Sequence, residues 1–144
     1  MKKLLYITLL ALTAFIGCQK PKPETEQKPL TLKQKLCNEW RGSSIAVDAS
    51  VYVAFLTDGT FELYQKMEER FELRRGTWTL TGDILSGKYN DGEAWVADYQ
   101  VSVDGDKLTM ISQNEGAETS IYVRCSIPVI IKEGSTVIVK SGLF

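Results

Sequence analysis

Between Val51 and Met110 apolar residues recur at every second position in short runs, and most of these runs stop at a segment containing glycine. Val51, Val53 and Phe55 alternate with Tyr52 and Ala54; Asp58-Gly59 follows; Phe61 and Leu63 then alternate with Glu62 and Tyr64. A period of two matches the pleat of a β-strand, whose successive side chains point to opposite faces, and Asp-Gly between two such runs is a hairpin signal.

The pattern continues along the chain. Phe71 and Leu73 form one run, Trp78 and Leu80 another, and Thr81-Gly82-Asp83 turns into Ile84-Leu85. After Asn90-Asp91-Gly92, the residues Trp95, Ala97, Tyr99, Val101 and Val103 share one parity; Asp104-Gly105-Asp106 leads to Leu108 and Met110; Gln113 to Gly116 ends that run. Ile121, Val123 and Cys125 make one face of a further strand, and VIIKEGSTVIV has the character of a hairpin turning at Glu133-Gly134, with Pro128 at its start. Counting Trp40 to Val47 as the first, about eight strands are predicted, with one short helical turn over Leu32 to Leu36 ahead of them. Many short strands at regular spacing imply an all-β domain, an antiparallel up-and-down meander closed into a small barrel or folded as a sandwich. The runs fall short of the ~9 to 11 residues that a membrane-spanning strand requires, and their apolar faces suit a packed interior.

The first residues obey different rules. Lys2 and Lys3 precede an apolar stretch from Leu4 to Ile16, and Gly17 supplies the small residue before a cleavage point, so residues 1–17 are expected to be a signal peptide. Phe15-Ile16-Gly17-Cys18 resembles the lipobox of bacterial lipoproteins. That resemblance implies lipid attachment at Cys18, with the membrane as partner through the anchor. Two or three acyl chains, at about 0.8 kcal/mol per buried CH₂, suffice to hold a soluble domain on a bilayer. Residues 18–35 are then a tether, extended and solvated, because Gln19 to Thr31 carries three of the four prolines among Lys and Glu. The barrel is expected over 36–144. Gln19, rather than Asp, follows Cys18, which by the same resemblance places the protein in the cell envelope at the outer membrane.

Composition narrows the chemistry. Histidine is absent, which excludes Ser-His and Cys-His nucleophilic schemes. Without Lys2 and Lys3, 15 basic residues face 18 acidic ones, and no basic stripe offers itself to nucleic acid. No cysteine cluster has zinc spacing and no loop has the calcium pattern, so no metal and no other cofactor is expected. With Cys18 assigned to lipid, Cys37 and Cys125 remain, either as a disulfide in an oxidising compartment or as two buried thiols. Asp91 with Glu93, and Asp104 with Asp106, are paired carboxylates, but both sit in turns where Asp supports the backbone. Glu68, Glu69 and Arg70, with Arg74 and Arg75, are expected at strand ends as a solvated charged rim.

The motifs LCNEWRGS, VAFLTDGTFELY, RRGTWTLTGDIL and DYQVSVDGDKLTM, in that order, resemble the lipocalin-like domain of small lipoproteins from anaerobic Gram-negative bacteria. The correspondence runs through Trp40, Phe55, Asp58-Gly59-Thr60-Phe61, Gly76, Trp78, Gly82, Leu85 and Leu108-Thr109-Met110. It implies an up-and-down barrel and a non-enzymatic protein that binds a small apolar ligand or serves as an accessory subunit. Phe55, Phe61, Trp78, Trp95 and Tyr99 are the residues expected to line a cavity, or else to fill it as core. The alternative is a solid barrel that meets an envelope protein. Ser86-Gly87-Lys88-Tyr89 resembles the Ser-Gly-x-x-Tyr loop of membrane-bound inhibitors of c-type lysozyme, with one residue fewer before the Tyr.

Overall fold

The structure is a computed structural model that describes residues 27–144. The expected signal peptide 1–17, the lipid attachment at Cys18 and the first part of the tether lie outside the described residues. A short helix, α1 (Leu32–Leu36), leads into β1 (Glu39–Gly42), β2 (Val51–Phe55), β3 (Thr60–Met67), β4 (Arg70–Thr81), β5 (Ile84–Tyr89), β6 (Tyr99–Asp104), β7 (Lys107–Ser112) and β8 (Thr119–Arg124). Each strand pairs antiparallel with the next, and β1 pairs with β8 through Trp40↔Arg124 and Gly42↔Tyr122, so the eight strands close a barrel. The alternation read from the sequence is the alternation of this wall. Val53, Phe55, Phe61, Leu63, Trp78, Leu85, Val101, Leu108 and Met110 turn inward and share one buried core.

The meander fixes what lies at each end. The β2–β3, β4–β5 and β6–β7 turns share one end with the start of β1, and there α1 covers the opening. Thr31 and Gln34 form a reciprocal cap on α1, with Gln34 N donating to Thr31 Oγ1 at 3.2 Å and Thr31 N to Gln34 Oε1 at 2.9 Å. Leu36 has no exposed surface and Leu32 packs beside the core, so the packed unit begins within the segment expected to be tether. The other end, the mouth, carries the long loops 43–50, 90–98 and 113–118.

After β8 the chain climbs the outside of the barrel as α2 (Val129–Gly134) and β9 (Thr136–Val137). VIIKEGSTVIV is therefore not the hairpin its β-branched runs suggest. Pro128, with φ −54°, starts a helical turn, and Ile131 from that turn joins Ile127 in covering Ala54, Tyr64 and Leu73. The outer faces of β2, β3 and β4 are themselves apolar, and burying them favours the helix over the local strand preference. Two residues further on, β9 pairs parallel with β4 at Glu72↔Thr136 and Leu73↔Val137. It occupies the edge that β4 leaves free before β5 pairing begins at Gly76.

Three further expectations change. The runs around Phe71 and Trp78 are one strand, β4, whose Leu73 faces out and Trp78 in. In β8 the core face is that of Tyr122, whereas Ile121 and Val123 are only half-buried on the other face. The first strand ends at Gly42, because loop 43–50 folds back on it: a Cβ there would lie 2.1 Å from the Asp48 carbonyl oxygen.

Candidate functional site

The five aromatic residues singled out from the sequence are all buried inside the barrel, in two groups. Phe55 and Trp78 meet edge to face at 5.8 Å toward the α1 end, where the Lys33 ammonium lies 5.7 Å from the Trp78 ring centre. Phe61, Trp95 and Tyr99 form the second group: Phe61 and Trp95 are 5.2 Å apart, and Trp95 and Tyr99 6.1 Å. Trp95 and Ala97 keep the parity of β6 but belong to loop 90–98, which folds against β5 through Trp95 N donating to the Gly87 carbonyl at 3.0 Å.

Two residues that sequence reasoning did not place in the site complete this group. Tyr89 lies 5.6 Å from Phe61, and Phe144 lies 4.7 Å from Trp95, 5.9 Å from Tyr99 and 6.2 Å from Phe61. Phe144 is 2% exposed, although it comes from the segment that runs outside the barrel and turns in over the mouth. Tyr89 holds it at both polar atoms of the main chain: Phe144 N donates to the Tyr89 hydroxyl at 2.8 Å, and the hydroxyl donates to Phe144 O at 3.2 Å. Nothing local in the sequence marks a residue 55 positions away as the partner of Tyr89.

The approach to Phe144 is fastened by polar contacts. Ile138 N donates to the Leu73 carbonyl at 2.8 Å, Ser141 N to Asp91 Oδ2 at 3.0 Å, and Arg74 Nε to Ser141 O at 3.1 Å. Arg74 is not a solvated rim charge: it is largely buried and also bonds Gln65 and Glu72. At the base of the same segment, Glu39 accepts from Ile127 N at 2.6 Å and pairs with Lys132. Asp91, one of the paired carboxylates, thus serves the backbone, and Asp106 pairs with Arg124 at 3.3 Å.

The barrel wall is thinnest between β5 and β6, which share only the pairs Ile84↔Gln100 and Leu85↔Tyr99. A cleft of about 400 Å³ opens beside this seam, lined by Thr77, Thr79, Ser86, Lys88, Trp95 and Asp98 among others. Gly87 lies at its floor because the Trp95 ring takes the space of a side chain; a Cβ there would meet that ring at 2.4 Å. The Trp95 indole N–H is buried and has no acceptor among the described residues. Ser86 to Tyr89 therefore form a strand whose Tyr is buried, not a loop of the kind lysozyme inhibitors present.

Burial pushes the Tyr89 phenol up to about 12, against the opposing pull of its main-chain hydrogen bonds, and burial also raises Tyr99 and Tyr122. A phenol whose folded pKa lies above its unfolded value stabilises the fold fully below about pH 10, and that contribution disappears as pH rises through the folded value. Urea midpoints are expected to fall from about pH 10 upward, with Tyr89 alone accounting for up to about 3 kcal/mol. In Tyr89→Phe the slope between pH 10 and 12 should be shallower; an unchanged slope would contradict this assignment.

Among the described residues Cys37 and Cys125 are free thiols, one of the two states the sequence leaves open. Cys37 packs beside the barrel core and Cys125 beside the outer cluster under α2, so the two side chains lie with different layers. Burial raises both; Lys33 partly offsets this at Cys37, and Glu39 adds to it at Cys125. Each should react with iodoacetamide at pH 7.5 more slowly than free cysteine, because less of it is thiolate. Site-resolved mass spectrometry measures both rates, and a rate equal to that of free cysteine at either position would contradict the expectation.

No protein-family model and no curated protein matches this sequence.

Proposed function

We propose that this is a non-enzymatic lipoprotein of the cell envelope, held to the outer membrane through Cys18, whose lipocalin-like barrel binds a small apolar ligand. The observation that carries this reading is the aromatic chamber at the mouth. Phe61, Tyr89, Trp95 and Tyr99 surround a ring, Phe144, that belongs to none of the barrel strands. A chamber filled by a separate segment differs from a core filled by its own wall, because the filling can leave without unpairing a strand. The absence of histidine and the engagement of Asp91 and Asp106 by neighbouring groups favour binding over catalysis.

A second reading draws on the outer segment, where Val129, Ile130, Val137 and Val139 are all more than half exposed. Such residues suit contact with a partner protein in the envelope. Native mass spectrometry of protein extracted from its own envelope separates the two. A co-purified small molecule supports ligand binding; a stoichiometric protein partner without one supports the second reading.

A further inference from the structure

We propose that the seat of Phe144 is a recognition site for phenylalanyl-type ligands, meaning an aromatic ring attached next to an amide, and that residues 138–144 are an intramolecular competitor for it. This rests on the ligand-binding reading above and names the chemistry of its site.

The seat has two parts that recognise different things. Trp95, Tyr99 and Phe61 surround the ring, with centroid distances of 4.7, 5.9 and 6.2 Å and a tilted or edge-on geometry that suits aromatic pairs. The Tyr89 hydroxyl then reads the main chain, accepting from the N–H and donating to the oxygen of the same residue. An aliphatic chain would satisfy the first part but leave a buried hydroxyl without partners, and burying an unpaired polar group is costly. The seat therefore favours a ring joined to an amide over a plain hydrocarbon or a fatty acyl chain.

The competitor is held lightly. All four walls of the seat belong to β3, β5, β6 and loop 90–98, so they remain when Phe144 leaves. Beyond β9 the segment has no ladder pairing among the described residues; outside the seat, Leu143 packs beside the core, and the hydrogen bonds that fasten the segment are Ile138 to Leu73 and the two of Ser141. A ligand with the same ring and amide makes the contacts of Phe144 without the need to order the segment.

The test uses the full chain with Phe144→Ala, titrated with N-acetylphenylalaninamide, N-acetylleucinamide, toluene and 1-anilinonaphthalene-8-sulfonate, read by calorimetry and tryptophan fluorescence. Phe144→Ala is expected to bind N-acetylphenylalaninamide about tenfold or more tighter than the intact chain, and about tenfold tighter than the leucine analogue. Adding Tyr89→Phe should remove about tenfold of the affinity for the phenylalanine amide while leaving that for toluene unchanged. If the folded variant binds the naphthalene probe but shows no preference for the phenylalanine amide, the proposed chemistry is overturned and the apolar-ligand reading survives. Binding of none of the probes overturns both. Should Phe144→Ala fail to fold, hydrogen exchange on the intact chain decides: millimolar N-acetylphenylalaninamide should accelerate the Ile138 and Ser141 amides, and no acceleration overturns the proposal.

Discussion

Alanine in place of Trp40 is expected to lower the free energy of unfolding by about 3 to 5 kcal/mol, the range seen when a large aromatic residue is deleted from a core. Trp40 has no exposed surface, and three separate connections meet in it. Its main chain pairs with Val53 of β2 on one side and Arg124 of β8 on the other. Its indole N–H donates to the Leu36 carbonyl at 3.0 Å, which ties α1 to the barrel. The Arg124 guanidinium stands 5.4 Å from its ring centre. Trp40→Phe keeps most of the apolar volume but not the donor, so it should recover most of the stability while releasing α1. Equilibrium urea unfolding gives the first quantity, and exchange of the Lys35 and Cys37 amides the second. An alanine variant within 1 kcal/mol of the parent, about the range of a minor surface change, would overturn this view of the site.

Gly76→Ala is expected to cost about 3 kcal/mol or more, at or above the usual range for overpacking. Gly76 sits where β3, β4 and β5 cross, paired with Phe61 on one side and Tyr89 on the other. A methyl group there would lie 1.9 Å from the Lys88 carbonyl oxygen and 2.8 Å from Phe61 Cε1. The first contact is with backbone, so relief requires the strands to part and not merely a rotamer to change. The displaced neighbours, Phe61 and Tyr89, are two walls of the Phe144 seat, so the loss should be accompanied by a changed tryptophan emission. Gly134→Ala is the matched control: nothing lies within 4 Å of its added carbon, and its effect should fall within about 0.5 kcal/mol. Equal urea midpoints for the two variants would show that β4 and β5 can yield at no cost.

The barrel was legible because its alternation is local. Turns at Asp58-Gly59, Gly82, Asn90 to Gly92, Gly105 and Gly116 all contain a glycine of positive φ, and each predicted run between them overlaps a strand, although the run from Trp95 enters its strand only at Tyr99 and the runs around Phe71 and Trp78 are one. Which face of a strand is buried was less legible when both faces carry apolar residues. β8 offers Ile121 and Val123 on one side and Tyr122 on the other, and only the register with β1 and β7 decides. The last segment was the least legible. Its β-branched residues favour a strand locally, yet α2 forms because Ala54, Tyr64 and Leu73 leave an outer apolar face to be covered. The candidate site divides in the same way. Phe61, Trp95 and Tyr99 could be named from parity, whereas Phe144 and the donor-acceptor role of Tyr89 arise from contacts that no spacing encodes.

Seven of the eight seams of the barrel join strands adjacent in sequence, and β1 with β8 is the exception. Each neighbouring pair can form as its own hairpin on a microsecond scale, but the ring becomes a ring only when residues near 40 meet residues near 124. The entropy of closing so long a loop grows only with the logarithm of its length, so the penalty is modest, but it falls on one short ladder. A chain in which β8 has yet to reach β1 holds an open sheet with two unpaired edges. It stays open to edge-to-edge association until the residues of β8, in the final quarter of the polypeptide, are free to pair.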